Sequence, residues 1–166
     1  MVPLEVQLEA PHIDLLQGSK PYELIAEEQS KTMTAAVLVA KGEIIPLTPA
    51  NTGITRKAMM TMIYGEDQSL VGRVFNPLGH ALPLEGGAHW TNSGPPIGPL
   101  RLWAQRKFSV DEGEATHIAW GVRHELMKRG LFAKNFFKGG YILAKPKIEA
   151  LWVKCLERIT KRLAGQ

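Results

Sequence analysis

The sequence predicts an α+β fold, in which a strand, a long helix and a β-meander are followed by further helices. Two observations lead to this class. Short stretches in the first half of the chain have the alternation, or the turn-bounded apolar runs, of strands. Longer stretches on either side of the meander carry apolar residues three and four positions apart, which is typical of amphipathic helices. With 166 residues, 45% of them hydrophobic, the chain is expected to form a single domain over residues 1–166.

The N-terminal part is predicted to form one strand and then the long helix. VPLEVQL at 2–8 alternates apolar and polar side chains, as a half-buried strand does. Ser19 ahead of a proline is typical of a helix start, and the helix is expected over about 21–41 with Gly42 as its stop. Three residues then rule out regular structure, namely Pro46, Pro49 and Gly53.

The middle of the chain is predicted to form a β-hairpin over about 57–75. Its two apolar runs, 57–64 and 69–75, are separated by turn-forming residues. A further strand, HALPL at 80–84, brings the number of strands to about four. Residues 83–99 are expected to form a loop, because glycine and proline are too frequent there for a helix or a central strand.

Helices are predicted for the C-terminal part. Residues 100–108 form a short helix. Ser109, three residues before a glutamate, has the spacing of a capping box that starts a second helix over about 110–129, and Gly130 ends that helix. The last helix is expected over about 146–163, after an aromatic and glycine-rich segment.

Composition and motifs argue against most function classes. No run reaches the ~18–20 apolar residues of a membrane span, and the net charge of +4 permits contact with nucleic acid without demanding it. The sequence contains no GxxxxGK[ST], no GxGxxG after a strand and no GxSxG. Cys155 is expected to be a small buried side chain of the last helix rather than a nucleophile. No cofactor is therefore predicted.

Histidines and paired acids have ordinary explanations. The candidates for a metal site are His80, His89, His117 and His124. His117 and His124 are two helical turns apart, too far to hold one ion by themselves. The adjacent acid pairs fall on a solvated helix face, in a turn and at a helix N-terminus. The chain is predicted to bind no metal and not to be an enzyme.

Nucleic-acid binding is the alternative function that the residues leave open. Arg101, Arg106 and Lys107 flank Trp103, and cations outnumber acids in the last helix. Phosphate contacts require such charge, although Trp103 and Trp152 both lie on apolar stripes, where core packing is the simpler explanation. A small DNA-binding accessory protein that uses a basic C-terminal helix is the second hypothesis.

Several local patterns, taken in order, resemble those of a known family. Pro49-Ala-Asn-Thr52-Gly53-Ile54-Thr55 precedes the hairpin, and His80-Ala81 is followed by Glu85-Gly86. A turn at Pro95-Pro96 leads into a tryptophan-containing helix. An alanine-rich helix with a terminal glycine, a Phe136-Phe137 pair and an amphipathic helix then close the chain. This order is similar to that of the small neck and tail-completion proteins of long-tailed bacteriophages, the head–tail joining group that includes tail-terminator-like members. The chain departs from the pattern at Thr55, Ala58 and His80, where leucine, serine and an aromatic residue are common.

The resemblance implies a non-enzymatic virion protein of the phage neck or tail, made in the bacterial cytoplasm. The implied fold is a twisted antiparallel sheet packed against the long helix. The implied assembly is a hexameric ring that completes the tail tube and joins it to head-connector or stopper proteins. Double-stranded DNA would pass through its lumen without sequence-specific binding, and no membrane is involved.

A closed ring needs a heterologous interface, in which one patch meets a different patch of the next subunit. The hairpin at 57–75 and the loop at 83–99 are the candidate patches, because neither is easily explained in an isolated monomer. The loop residues predicted to dock are Glu85, Trp90, Pro95, Pro96 and Ile97. Those predicted to form an interface or to pack the hairpin are Met59, Met60, Met62 and Tyr64. The family-signature turn consists of Pro49, Thr52 and Gly53.

Overall fold

The computed structural model describes residues 4–9, 20–50, 53–65, 70–90 and 93–164. Within these ranges the chain forms three strands and six helices: β1 Leu4–Glu9, α1 Lys20–Leu47, α2 Ile54–Lys57, β2 Met60–Tyr64, β3 Val71–Asn76, α3 Ala81–Gly86, α4 Ile97–Phe108, α5 Glu112–Arg129 and α6 Phe136–Leu163. The predicted α+β class is confirmed, but the described residues form a sheet of three strands instead of about four.

The chain divides into two compact units. The first contains the described residues of 1–81 and 136–166, and the second contains those of 82–135. The two units differ in which residues contact each other, and this does not test whether each unit folds alone. The prediction of a single domain therefore stays a prediction.

The sheet of the first unit is antiparallel, with strand order β1-β3-β2. The predicted hairpin is confirmed, since Met60 lies opposite Phe75 and Tyr64 lies opposite Val71. Its predicted start at 57 is wrong, because Lys57 ends α2 and the first strand begins at Met60. Residues 66–69 of its turn lie outside the described residues. Strand β1 pairs with the other edge of β3, so the N-terminal strand and the hairpin form one sheet.

The predicted strand at 80–84 is wrong, because these residues begin helix α3. The Ala81 N–H donates to the Leu78 carbonyl at 2.9 Å, which starts a helical turn. Pro83 falls in that first turn, where a helix needs no N–H from the chain. HALPL therefore suits a helix N-terminus as well as a strand.

Helix α1 continues past its predicted stop at Gly42 to Leu47. A helix-interior glycine costs only about 1 kcal/mol, and Ile44, fully buried beyond it, keeps the chain on the core. The helix end is satisfied by Arg56, whose guanidinium donates to the Thr48 carbonyl at 2.8 Å and to the Pro46 carbonyl at 3.2 Å. The segment around Pro46, Pro49 and Gly53, which was predicted to be irregular, is thus helical at both ends.

The second of these helical pieces is α2, which starts directly after Gly53. Gly53 has φ 73, a left-handed conformation that favours glycine. The turn places the Thr55 carbonyl against buried Asn76, whose amide donates to it at 2.7 Å. The segment between α1 and β2 therefore contains proline and glycine and still forms the short helix α2.

Helix α1 lies directly on one face of the sheet, the inner face. At Gly72 of β3, the side chains of Met33 and Val37 occupy the space that a β-carbon would need, with Met33 Sδ 2.5 Å from that position. Val74, two residues along β3, is fully buried on the same face. Gly72 is therefore a point of close approach between α1 and the sheet.

Helix α6 begins at Phe136, well before the predicted start at about 146. The prediction failed because Gly139 and Gly140 weaken a helical pattern in sequence. In the structure, a β-carbon at Gly140 would lie 2.7 Å from Ile44 Cα and 2.9 Å from Ile44 N. The glycine permits close contact between the two long helices, and this packing outweighs its poor helix propensity.

A charged cluster joins the same two helices further along. Glu28 of α1 is buried and accepts from Arg158 Nε at 2.7 Å, while Arg162 lies 3.1 Å away. The hydrogen bond from Arg158 holds the pKa of Glu28 below its ordinary value of 4.5, against the opposing effect of burial. Cys155 is buried beside it, as predicted, in a cluster with Ile25 and Ile159.

The second unit contains α4 and α5. The loop predicted over 83–99 is shorter, because α3 runs to Gly86 and α4 starts at Ile97. Ser109 is not the N-cap of α5: it ends α4 at φ 55, and the Asp111 carboxylate instead accepts from the Glu114 N–H at 2.9 Å. Gly130 ends α5 as predicted, with its N–H on the Leu126 carbonyl.

The close contact at Gly140 can be tested by adding one methyl group. We expect Gly140→Ala to lower the free energy of unfolding by about 2–4 kcal/mol, since the methyl group meets the backbone of Ile44. Gly139→Ala is the matched control, because its methyl group meets only the end of the Leu47 side chain at 3.3 Å. Urea unfolding followed by circular dichroism measures both. Equal losses in the two variants would contradict the close approach.

Glu28 predicts a pH dependence of stability. Its pKa in the folded chain lies below the ordinary 4.5, so its contribution is present above about pH 4.5 and is lost as the pH falls through the folded pKa. Glu28→Gln should be less stable than wild type at pH 7, and the gap should narrow on acidification to about pH 3. Urea midpoints across this range check it, with exposed Glu23→Gln as the control. A stability difference between Glu28→Gln and wild type that stays constant with pH would contradict the lowered pKa of Glu28.

Candidate functional site

The face of the sheet opposite α1, the outer sheet face, is a grid of three rows and three columns. Directly paired residues of an antiparallel sheet point to the same face, so the register fixes its members. The rows are Glu5–Phe75–Met60, Gln7–Arg73–Met62 and Glu9–Val71–Tyr64. The β1 column is thus polar and mostly acidic, while the β2 column is mostly apolar.

The β2 column is substantially exposed. Met60, Met62 and Tyr64 have 50%, 48% and 39% of their surface accessible, whereas their neighbours Val71 and Phe75 on β3 are half-buried. Together these five side chains form a contiguous apolar area along one edge of the sheet. Contiguous exposed apolar surface, unlike scattered single residues, is typical of sites that contact another molecule.

Arg73 occupies the centre of the grid and connects its two sides. Its Nε lies 2.8 Å from Glu5 Oε2 as an ion pair, although the geometry does not meet that of a hydrogen bond. On the other side, Arg73 Nη2 donates to Tyr64 Oη at 3.2 Å. Gln7 Nε2 donates to Glu5 Oε1 at 3.0 Å and to Tyr64 Oη at 3.3 Å. The central side chains are therefore held in place before any partner binds.

The outer sheet face combines exposed apolar side chains with an ion pair. Its charged groups are neutralised by each other or are exposed at the β1 edge. Among the described residues of the whole chain, no group of three or more His, Cys, Asp or Glu side chains is placed to hold a metal ion. His80 is 3.0 Å from the Thr55 hydroxyl, which gives it a structural partner.

The hairpin residues proposed from the sequence separate into two sets. Met60, Met62 and Tyr64 meet on the outer sheet face. Met59, which precedes β2, is buried in the core. The three exposed residues are therefore available to a partner, and Met59 packs within the unit.

The predicted loop residues belong to the second unit and differ in exposure. Glu85 is buried, and its carbonyl accepts from the Asn135 N–H at 3.1 Å. Pro95 is buried, Pro96 is the exposed N-cap of α4, and Ile97 starts that helix. Trp90 is half-buried. Their proposed role in docking stays a prediction.

The predicted signature turn is only partly described. Pro49 is half-buried after the end of α1, and Gly53 makes the left-handed turn into α2. Thr52 lies outside the described residues. The segment that is described positions Arg56 for the end of α1, so its role here is structural.

Sequence reasoning missed six of the nine positions of the outer sheet face. The residues that were not among the proposed site residues are Glu5, Gln7, Glu9, Val71, Arg73 and Phe75. A signal was present at 4–9, where LEVQLE alternates apolar and polar side chains, but VGRVFN at 71–76 does not alternate in this way. What the sequence did not supply was the strand order that places β1 beside β3.

Comparisons with known proteins give no family assignment. No family model matches the chain, and no curated protein or solved structure matches it either. Among the described residues, none of the helices combines the length and apolar composition that crossing a membrane requires. The likeness to phage neck proteins therefore remains one of sequence pattern.

The ion pair at the centre of the grid can be tested by a double-mutant cycle. Glu5→Gln and Arg73→Met should show a coupling energy of about 1 kcal/mol, because both side chains are largely shielded from water. The control cycle uses Glu125 and Arg129, a more exposed pair within α5, with about 0.3–0.5 kcal/mol expected. Urea unfolding of the four variants in each cycle supplies the values. No coupling between Glu5 and Arg73 would contradict the arrangement.

Proposed function

We propose that this protein is a non-enzymatic structural subunit of a phage neck or tail. In this role it forms a ring, hexameric by the family resemblance, that completes the tail tube and joins it to the head connector while DNA passes through the lumen. The observation that carries the proposal is the outer sheet face, where the described residues of the first unit leave apolar side chains at a sheet edge substantially exposed.

An assembly role explains two features of this face. Methionine side chains are unbranched and adapt to a partner surface, which suits the contact of a neighbouring subunit. The contacts of Arg73 with Glu5 and Tyr64 fix the middle of the face, and a preorganised surface loses less conformational entropy on binding.

The second unit offers a surface for neighbouring layers of the neck. Buried Pro95 and the N-cap Pro96 restrict the chain that enters α4. We assign the contact with tail-terminator, connector or stopper proteins to this segment and to Trp90 before it. Proline lowers the entropy that the segment loses when it docks.

The charge distribution favours assembly over the DNA-binding alternative. Four cations of α6 already face acids: Lys145 with Glu149, Lys147 with Glu43, and Arg158 and Arg162 with Glu28. Cations neutralised in this way contribute less to phosphate binding. A modest net charge of +4 also suits a lumen through which DNA must slide.

The proposal predicts that purified full-length protein forms rings, seen as particles of uniform mass by light scattering and as annuli in negative stain. Met62→Glu should prevent ring formation, because it places a charge in the apolar column. Leu102→Glu is the control, since Leu102 is equally exposed, at 48%, but belongs to the second unit. A chain that stays monomeric alone and with isolated tail tubes would overturn the proposal. Tight DNA binding that falls steeply with salt in a gel-shift series would support the alternative.

A further inference from the structure

The second unit is built around small side chains. Its buried residues, among those that the structure describes, are Glu85, Pro95, Ala104, Ala115, Ala119 and Gly130. None of the leucine, isoleucine, valine, methionine, phenylalanine or tryptophan side chains described in 82–135 is buried. The first unit, by contrast, completely buries large side chains such as those of Met33, Ile44 and Phe136. Because the burial of apolar surface is the main force that stabilises a fold, the second unit is stabilised less than the first.

Large apolar side chains of the second unit lie on its surface instead. Phe132 is 73% exposed, and Leu102, Phe108 and Trp120 are also exposed. A domain of about 60 residues buries only about 60% of the surface that its unfolded chain exposes, so even an ordinary apolar core gives it little margin. The second unit is slightly smaller than this, and it has alanines where larger side chains would contribute more. Its folded state is therefore expected to be only weakly stable by itself.

The chain enters and leaves the second unit at one place. Ala88 and Leu131 exchange both main-chain hydrogen bonds, at 3.0 and 2.6 Å. Closer to the ends of the unit, the Lys134 N–H donates to the Leu84 carbonyl at 2.9 Å. The β-carbon of any other residue at Gly130 would lie 2.8 Å from the Ala88 carbonyl oxygen, so the bridge depends on this glycine. Because the two ends lie side by side, the chain between them can unfold as a loop without pulling those ends apart.

From these observations we infer that the second unit unfolds and refolds separately while the first unit stays folded. In its folded state the unit positions Trp90 and the buried Pro95 of the segment that enters α4. Binding that requires this folded state is weakened in proportion to the fraction of chains in which the unit is unfolded, and a bound partner stabilises the unit in return. The folding equilibrium of the second unit therefore controls docking. This control rests on the proposed function, whereas the separate unfolding does not.

The chain carries a natural probe for each unit. Three of its four tryptophans, Trp90, Trp103 and Trp120, lie in the second unit. Its single cysteine, Cys155, is buried in the first unit. In full-length Trp152→Phe, which removes the fourth tryptophan, fluorescence should report a transition at lower urea than the pulse labelling of Cys155 by a thiol reagent. Hydrogen exchange read by mass spectrometry should place this early transition within the second unit.

Three glycine variants separate the two units further. Gly130 has φ 74 and ψ -177, a conformation that glycine alone adopts readily, so Gly130→Ala should lower the folded-to-unfolded ratio of the second unit by about 10- to 100-fold. A methyl group at Gly121 meets nothing within 4 Å, and Gly121→Ala should raise that ratio by about 2- to 5-fold through the helix propensity of α5. Both should leave the urea midpoint for Cys155 labelling unchanged. Gly140→Ala, in the first unit, should lower that midpoint and leave the fluorescence transition unchanged.

Each other outcome overturns the inference. One transition shared by fluorescence and Cys155 labelling would show a single cooperative domain. A Cys155 transition at lower urea than the fluorescence transition would show that the second unit is not the weaker one. Equal shifts of both midpoints in Gly130→Ala would show that the two units unfold together. None of these measurements depends on assembly, so a wild-type chain that forms no ring would overturn the proposed function and leave the separate unfolding standing.

Discussion

The close packing of α1 on both of its neighbours is the constraint on which the rest of the first unit depends. Two glycines make it possible. Gly72 lets Met33 and Val37 approach the sheet, and Gly140 lets the backbone of Ile44 approach α6. Because α1 fills the space between the sheet and α6, most of its apolar residues are buried in the core, while Leu38 and Leu47 are exposed. The outer sheet face is a surface that this arrangement leaves uncovered by the described residues.

Much of the fold could be predicted from local patterns, and the two errors at helix glycines share one cause. The hairpin was predicted because two apolar runs around a turn are a local signal. The end of α1 at Gly42 and the start of α6 after Gly139-Gly140 were predicted wrongly, because a glycine inside a helix carries an intrinsic cost of about 1 kcal/mol. Burial of Ile44 and contact between long helices outweigh such a cost, and neither is visible in a short window. The segment at 80–84 was misjudged because its proline suits both a strand end and the first turn of a helix.

The candidate site was predicted in part for a related reason. The methionines were proposed because the edges of a hairpin are poorly explained in an isolated monomer, whereas Glu5 and Arg73 appear ordinary until β1 is placed beside β3. Strand order depends on contacts between residues far apart in sequence, which local reasoning does not reach. The pairing of β1 with β3 places the acidic side chains of β1 beside the apolar edge and lets Glu5 contact Arg73.

The outer sheet face is the surface that we propose for assembly. Electron cryomicroscopy of the assembled wild-type chain tests it most directly, because a map with resolved side chains shows what covers each surface. The account predicts a closed ring in which Met62 of every copy is in van der Waals contact with the neighbouring copy. An assembly in which Met60, Met62 and Tyr64 face solvent in every copy would contradict it.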